Sequence, residues 1–544
     1  MTEIYPDDGR LVNATPAPTR ISGLPDDDKA TFLQLWQKWQ QHSNKNKLLS
    51  VYYDGHRAFQ DLGISIPPQM TRTKAALGWP QKVVTMLARR HVFEGYSLNG
   101  APNAFEANEI LSANNYDLDL AQAITSAYKH SFSLLTVTRG DETIGEPPVV
   151  VQARDAEWSA ALWDTRRRII EAALTIDQTD KYGQPAGAIM HTPTAIWRID
   201  ARENGGGWKA EKLGDTPNRI FVEALCYDPQ LNRPLGHSRI TREVRYLTDA
   251  AVRTMVRAET SAEFFSSPQR YVLGAERADF AGQDRWSAIM ARVQVLEPNE
   301  NGDIPSVGQF SQMTMSPHLE MYRQLAQNLC AATNLPQSAI GVFAENPASA
   351  EAMQAAEAAL ADEAEYQWRI FTAPLRRTLQ NIIMVRDKLD EPPQESWKTS
   401  VKWTPARYSS PSSAADFAVK MVSAFPSLQE SQTLMRRAGL TEDDLADINA
   451  ENRKKNAVSL LDRALAATNN GNTVDENGEN AKNDDTNNSA DSDSVDNTDN
   501  TNNAVNNNGG NGSGSNLGIN NAPNTRNRVK RNIKLPGGNK TPIN

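Results

Sequence analysis

Residues 336–384 read PQSAIGVFAENPASAEAMQAAEAALADEAEYQWRIFTAPLRRTLQNIIM, a loop bearing Pro, Gly and Asn that feeds one long helix rich in small residues. Asn346 suits an N-cap, since its side-chain oxygen can accept from an orphan amide of the first turn, and Pro347 stands where the first helical residue has a spare N–H. Apolar residues then recur at helical spacing: Met353, Ala356, Leu360, Ala364, Trp368, Phe371, Leu375, Leu379 and Ile382. Pro374 is expected to bend the helix rather than end it, because the pattern stays in phase on both sides. At 1.5 Å per residue the segment is roughly 55 Å long. A rod of that length, entered from a loop without reactive side chains, reads as an architectural part.

Outward from this stretch the chain divides by composition. From Thr468 onward its 544 residues become Asn, Asp, Ser, Gly and Thr with few large apolar residues, too few to offset ordering entropy, so 468–544 reads as a disordered tail. Within it, Asp475 to Asp499 holds nine acids against the single base Lys482, whereas Arg526, Arg528, Lys530, Arg531, Lys534 and Lys540 form a basic end. Such segregated charge is read as solvated, with docking on nucleic acid or an acidic partner as the sharper alternative. The preceding residues can bury a large core in two or more sub-domains. The net charge of −9 argues against bulk coating of DNA, though not against a surface past which DNA slides. MTEIYPDDGR has no apolar core and reads as no signal peptide, no apolar run reaches the ~18 residues of a membrane span, and no membrane partner is expected. Cys226 and Cys330 lie in apolar segments and suit reduced core thiols in a protein made in the cytoplasm.

Residues 26–60 read as helical with Phe32, Leu35, Trp36 and Trp39 on one face; GISIPPQM is an extended linker; further helices are expected at 79–92 from Pro80, at 104–113 from Asn103 and at 117–130. From about 132 to 235 the segments SLLTVTRG, PVVVQAR, AALTI, TAIWRID, WKAEKL and RIFVEALCY read as strands of an antiparallel sheet. The fold class is therefore α+β. After Pro234, Gly236 and Ser238 open a helix with Ile240, Val244, Leu247, Ala251, Met255, Ala258 and Ala262 on its apolar face and Arg239, Arg242, Arg245, Arg253 and Arg257 on others. A short strand-rich insert follows, near 270–274 and 291–297. A helix from Ser316-Pro317 then carries Leu319, Tyr322, Leu325, Leu329 and Ala332 and stops at Leu335-Pro336. Beyond the long helix come a strand in WKTSVKWTP, a helix near 412–424, and a helical pair near 427–437 and 441–467.

Enzyme chemistry is not legible in these residues, and no catalytic, metal-ligating or cofactor-binding residue is assigned. There is no G-x-x-x-x-G-K-[ST], no G-x-G-x-x-G after a strand and no G-x-S-x-G. None of the seven histidines lies within four residues of another, and the cysteines stand 104 positions apart, so neither a local histidine pair nor a zinc knuckle is encoded. Asp54-Gly55-His56 reads as a turn before an acid–base pair, Asp26-Asp27-Asp28 as complements of a helix dipole before a cation site, and Arg166-Arg167-Arg168 as a solvated face before a phosphate contact.

The order of the segments resembles the portal proteins, or head–tail connectors, of tailed double-stranded DNA bacteriophages, particularly the type in phages of actinobacteria. LLSVYYDGHRAF (48–59), GWPQKVVTMLARRHVFEGY (78–96), PLGHSRITREVRYLTDAAVRTM (234–255), RYVLG (270–274) and NLPQSAIGVFAENPASAEAMQAAEAAL (334–360) carry the resemblance, over roughly 25–465. It implies a homo-oligomeric ring, usually a dodecamer, at one capsid vertex of the virion, made in the host bacterial cytoplasm. The implied parts are the wing at 1–235, stem helix 1 at 236–263, the clip at 264–311, stem helix 2 at 312–335, a tunnel loop at 336–350, the wing's long helix and return strand at 351–425, and the crown at 426–467. The implied channel residues are Ile340, Gly341, Val342, Phe343, Ala344, Glu345 and Asn346. Implied partners are double-stranded DNA passing without sequence specificity, the terminase large subunit, major capsid and scaffold proteins, and a head-completion or adaptor protein. A strong phosphate grip would stall sliding, and Gln337 to Ser349 contains no Lys or Arg. The alternatives are a nucleic-acid-processing hydrolase built on dispersed carboxylates, or another minor head protein.

Overall fold

The computed structural model describes residues 17–57, 75–202, 207–265, 270–273, 302, 304, 306–309, 314–341, 350–407, 411–429, 431–440, 444–445, 447–455 and 457–458. The chain forms two units, divided after Ala446. The described part of the second, 447–455 with 457–458, is helical. The expected linker GISIPPQM, the 291–297 strand and the 468–544 tail lie outside the described residues.

Helix and strand mix in the first unit as an α+β fold should. Helix α1 (Asp26–Tyr53) starts with Asp26, Asp27 and Asp28 in its first turn, where carboxylates complement the dipole, and ends at a turn in which Gly55 takes φ 71°. It buries Phe32, Leu35, Trp36 and Trp39 against one face of a six-stranded sheet. Sheet order is β1-β10-β9-β8-β7-β6: β1 (Ile21–Ser22), β10 (Trp208–Asp215), β9 (Ala195–Ala201), β8 (Pro185–His191), β7 (Ile169–Thr179) and β6 (Ser159–Asp164). Only β1 pairs in parallel.

The other face packs on a separate three-stranded sheet, β11 (Val222–Cys226), β4 (Phe132–Arg139) and β5 (Val149–Asp155), rather than all strands joining one sheet as expected. Strand β7 serves both layers because side chains alternate: Ala172, Leu174 and Ile176 face α1 while Ala173 faces the second sheet. A bulge, where Leu162 pairs with Ala172 but Trp163 with Ile170, resets the phase so that Ile170 also faces the second sheet.

Sequence reading missed β6 and β8. Their residues SAALWD and PAGAIMH have low strand propensity, and what places them is the close approach their alanines allow between layers. The arginine triplet sits in the exposed β6–β7 turn, where Asp164 Oδ1 accepts the Arg166 and Arg167 amides at 2.8 and 3.0 Å, consistent with a solvated face.

Among the described residues, the largest core gathers the helices between residues 79 and 387. Helix α2 (Trp79–Ala88) ends four residues earlier than expected, because 93–98 become strand β2 (Phe93–Leu98) in a sheet β14-β2-β3 with β14 (Thr399–Trp403) and β3 (Ala101–Pro102). From Asn103, in the left-handed region, the chain makes a short 3-10 turn, and only Asn108–Ala113 is α-helical (α3); α4 is Tyr116–His130. Between helices α5 (Arg242–Phe265) and α6 (Ser316–Thr333) in the chain, β12 (Arg270–Leu273) and β13 (Ser306–Gln309) pair antiparallel as a two-stranded sheet.

The apolar face of α5 differs from expectation beyond Ala251. Val252, Val256 and Thr260 are buried, Met255 and Ala258 are half-buried, and Ala262 is exposed. On α6, Leu329 is buried with Ala326 and Cys330, whereas Leu319 and Ala332 are exposed. The long helix α7 is Ala350–Asp387, 38 residues with Pro374 inside, and Leu360, Ala364, Phe371, Leu375, Leu379 and Ile382 are all fully buried. The phase is thus kept through Pro374, although Ala356 is exposed. The expected helix start at Asn346-Pro347 lies outside the described residues. Helices α8 (Pro411–Ala424) and α9 (Gln432–Arg437) follow.

Three histidines are buried in these layers. Burial pushes His91 and His191 down to about 4 and His130 to about 3, so all three fold as neutral imidazoles. The unfolded chain takes up their protons near pH 6.5 but the folded chain does not. Their contribution is therefore complete above 6.5 and is lost as pH falls towards about 4. Glu223 opposes this slope, since burial raises it to about 7 against the attraction of Arg377 and Arg219. Replacing one histidine isolates its share. In melting curves recorded against pH, His191→Gln is expected to flatten the loss of stability between pH 6.5 and about 4, by up to about 1.4 kcal/mol per pH unit.

Candidate functional site: a loop mounted between three helices

The candidate loop leaves the body where α6 stops. Asn334 enters the left-handed region (φ 54°), Leu335 is buried, and Pro336 leads into a 3-10 turn, Gln337–Ile340. Of the expected channel residues, Ile340 is half-buried against the main core and Gly341 takes φ 81° with open space where a Cβ would stand. Val342, Phe343, Ala344, Glu345 and Asn346 lie outside the described residues. The chain is described again from Ala350, in α7.

The end of α6, from which the loop leaves, and a later turn of α7 are tied to one buried guanidinium. Arg239, 3 % exposed, donates from Nε to the Val83 carbonyl at 2.8 Å on α2 and from Nη2 to the Thr333 carbonyl at 2.6 Å at the end of α6. Its Nη1 pairs with Glu363 Oε1 on α7 and donates to the Tyr227 hydroxyl at 3.2 Å. The Tyr227 hydroxyl donates to Glu363 Oε1 at 2.8 Å, and Asn334 donates to Glu363 Oε2 at 3.1 Å. One carboxylate thus holds the residue that ends α6 and one turn of α7, while the guanidinium satisfies the otherwise orphaned Thr333 carbonyl. Burial pulls Arg239 below the ordinary arginine range, opposed mainly by Tyr227 and Tyr128. The same hub leans on Gln367, which donates to the Cys226 carbonyl at 2.7 Å.

Arg239 is the residue that sequence reading misplaced on an outer face of a helix. The helix begins only at Arg242, after Thr241, whose hydroxyl accepts the Val244 amide at 3.3 Å. Arg239 therefore lies in an extended entry segment, and its direction does not follow the 3.6-residue period. Reading Thr241 rather than Ser238 as the cap would have removed it from the wheel. Gly236 shapes this entry: at φ 70° an added Cβ would stand 2.2 Å from the Tyr227 carbonyl oxygen.

A family model described as "Phage portal protein, SPP1 Gp6-like" matches residues 33–457. The chain belongs to this phage portal family. Portal proteins of two mycobacteriophages are similar to this portal chain. That of Mycobacterium phage D29 is 27 % identical over 398 residues, and that of Mycobacterium phage L5 is 27 % identical over 390; each match covers 68 % of this chain and 77 % of the relative. A chain of the solved "Neck of native GTA particle computed with C12 symmetry" is 11 % identical, covers 67 % of this chain and 90 % of its own, and has a TM-score of 0.37. Among the described residues of the portal chain no group of His, Cys, Asp and Glu is placed to hold a metal, and no helix is long and apolar enough to cross a membrane.

Removing Glu363 leaves a buried guanidinium unpaired. Glu363→Ala is expected to cost about 3 kcal/mol, the low end for a buried pair because the carboxylate is partly exposed. Arg407→Ala, which breaks an exposed pair with Asp362, should cost under about 1 kcal/mol. Denaturation of the two variants side by side checks both, and equal losses would mean that the hub is not a keystone.

Proposed function

We propose that the chain assembles as a ring, expected to hold twelve copies, that serves as the channel for DNA at one capsid vertex. The observation that carries this reading is the portal family match, which runs continuously through the α5–α6 pair, the loop and α7. On this reading 236–263 and 312–335 are the stem helices and 264–311 the clip. Residues 336–350 are the tunnel loop, 1–235 and 351–425 the wing, and 426–467 the crown.

Three features support it. Helices α5 and α6 run antiparallel, with Ser261 Oγ 3.2 Å from His318 Nε2 near one end and Arg239 bound to the Thr333 carbonyl at the other. The pair exposes Tyr246, Leu319 and Met321, apolar residues suited to lateral packing between copies. The loop from Gln337 to Ser349 has Glu345 as its single charge, so it offers a passing phosphate backbone little to bind. The ring is a structural conduit: a terminase motor docks on the clip and drives DNA inward, head-completion proteins replace the motor, and capsid and scaffold proteins surround the wing.

Negative-stain images and mass measurement of the purified full chain should reveal rings. A stable monomer under all conditions overturns the proposal. Phe343→Lys and Val342→Lys should impair DNA packaging or retention while rings still form. Packaging at the wild-type level would take the loop out of the channel.

A further inference from the structure

Away from the loop, a cleft of about 590 Å³ opens between α1, the β6–β7 strands and the turn at 232–237. Lys38, His42 and Lys45 line it from one stripe of α1, at spacings of four and three, and Arg233 lines it from the turn. Lys38, Lys45 and Arg233 take no part in the ion pairs seen among the described residues, and Glu171 is the only carboxylate of the lining. The crowding is felt by His42, whose pKa is lowered by desolvation and further by Lys45 and Lys38.

The wall behind the cations is polar and unsatisfied. His130 and Ser159, 5 % and 4 % exposed, both border the cleft, and His130 Nδ1 and Ser159 Oγ have no hydrogen-bond partner. The other imidazole nitrogen is engaged: Ser50 Oγ lies 2.9 Å from His130 Nε2 and donates a hydrogen bond to Glu157 Oε2 at 2.6 Å.

Three cations from two elements line one cleft whose only carboxylate is Glu171, and they repel one another unless a further anion lies among them. A single carboxylate would leave most of that charge unmatched. A phosphate group carries several oxygens and more than one charge, and suits both the ammonium groups and the guanidinium fork. We propose that this cleft binds a phosphate-class oxyanion, either a free polyphosphate or the backbone phosphates of a nucleic-acid strand. The proposal is independent of the ring and channel assigned above.

Calorimetric titration of the full chain tests it, using inorganic pyrophosphate in one arm and a short single-stranded oligodeoxynucleotide without terminal phosphates in the other. Saturable binding tighter than about 1 mM is expected in at least one arm, weakened tenfold or more in the double variant Lys38→Gln/Lys45→Gln and in Arg233→Gln. All three side chains are exposed, so melting temperatures in phosphate-free buffer should match the wild type. Pyrophosphate alone binding identifies a free ligand, and the oligonucleotide binding identifies a strand. Lys209→Gln, at an exposed lysine paired with Glu211, should bind as the wild type does. Absence of saturation in both arms, unchanged binding by the cleft variants, or equal weakening by Lys209→Gln overturns the proposal.

Discussion

The buried pair between Arg239 and Glu363 is the contact on which the arrangement of α2, α5, α6 and α7 depends. A guanidinium placed at 3 % exposure has lost its hydration and must recover it from fixed acceptors. Here those acceptors are two main-chain carbonyls, a tyrosine hydroxyl and a carboxylate, each contributed by a different part of the chain. Such a set is satisfied in one geometry, so it specifies the helix arrangement more than it adds net stability. The functional consequence is positional. The loop after α6 leaves from Thr333 and Asn334, which this set holds in place.

The same division between framework and surface runs through the N-terminal layers. Two sheets and a tryptophan-rich helix stack in three layers, and Ala160, Ala161, Ala172, Ala173 and Ala188 line the central sheet on both faces. Small side chains there leave room for Trp36 and Trp39 of α1, neighbours three apart on the helix whose ring centroids stand 5.3 Å apart in an edge-on arrangement. Bulk on the helix is matched by its absence on the strands, and neither is interpretable without the other. The basic stripe of α1 borders this apolar contact, with Lys38 immediately before Trp39, so one helix carries core packing and the cleft proposed for phosphate.

Much of this was legible in advance where a period was strong. Helices α1 and α7 follow their 3.6-residue patterns, and α7 keeps its phase through Pro374, with Phe371 and Leu375 both in the core. Strands with β-branched runs, such as β4 and β9, were equally plain. Elements with a weak local signal were not: β6 and β8 are alanine- and glycine-bearing, and β2 follows α2 without a breaker that stops a helical pattern. Of the candidate loop, the exit at Leu335-Pro336 was readable from the proline and the buried leucine. Its mount was not, because Glu363 lies 124 residues from Arg239 and nothing local marks them as partners.

By itself the sequence determined the α+β class, the long helix, the loop free of Lys and Arg before it, and the ordered resemblances that match a portal family. These follow from periodicity, composition and order, which are properties of neighbours along the chain. Only the tertiary structure decided that the strands split into separate sheets and that the far half of α5 turns Val252, Val256 and Thr260 inward. It alone made Arg239 a buried anchor and brought three unpaired cations to one cleft. Burial and charge neutralisation depend on groups brought together by folding across more than a hundred residues, and no window of sequence contains them.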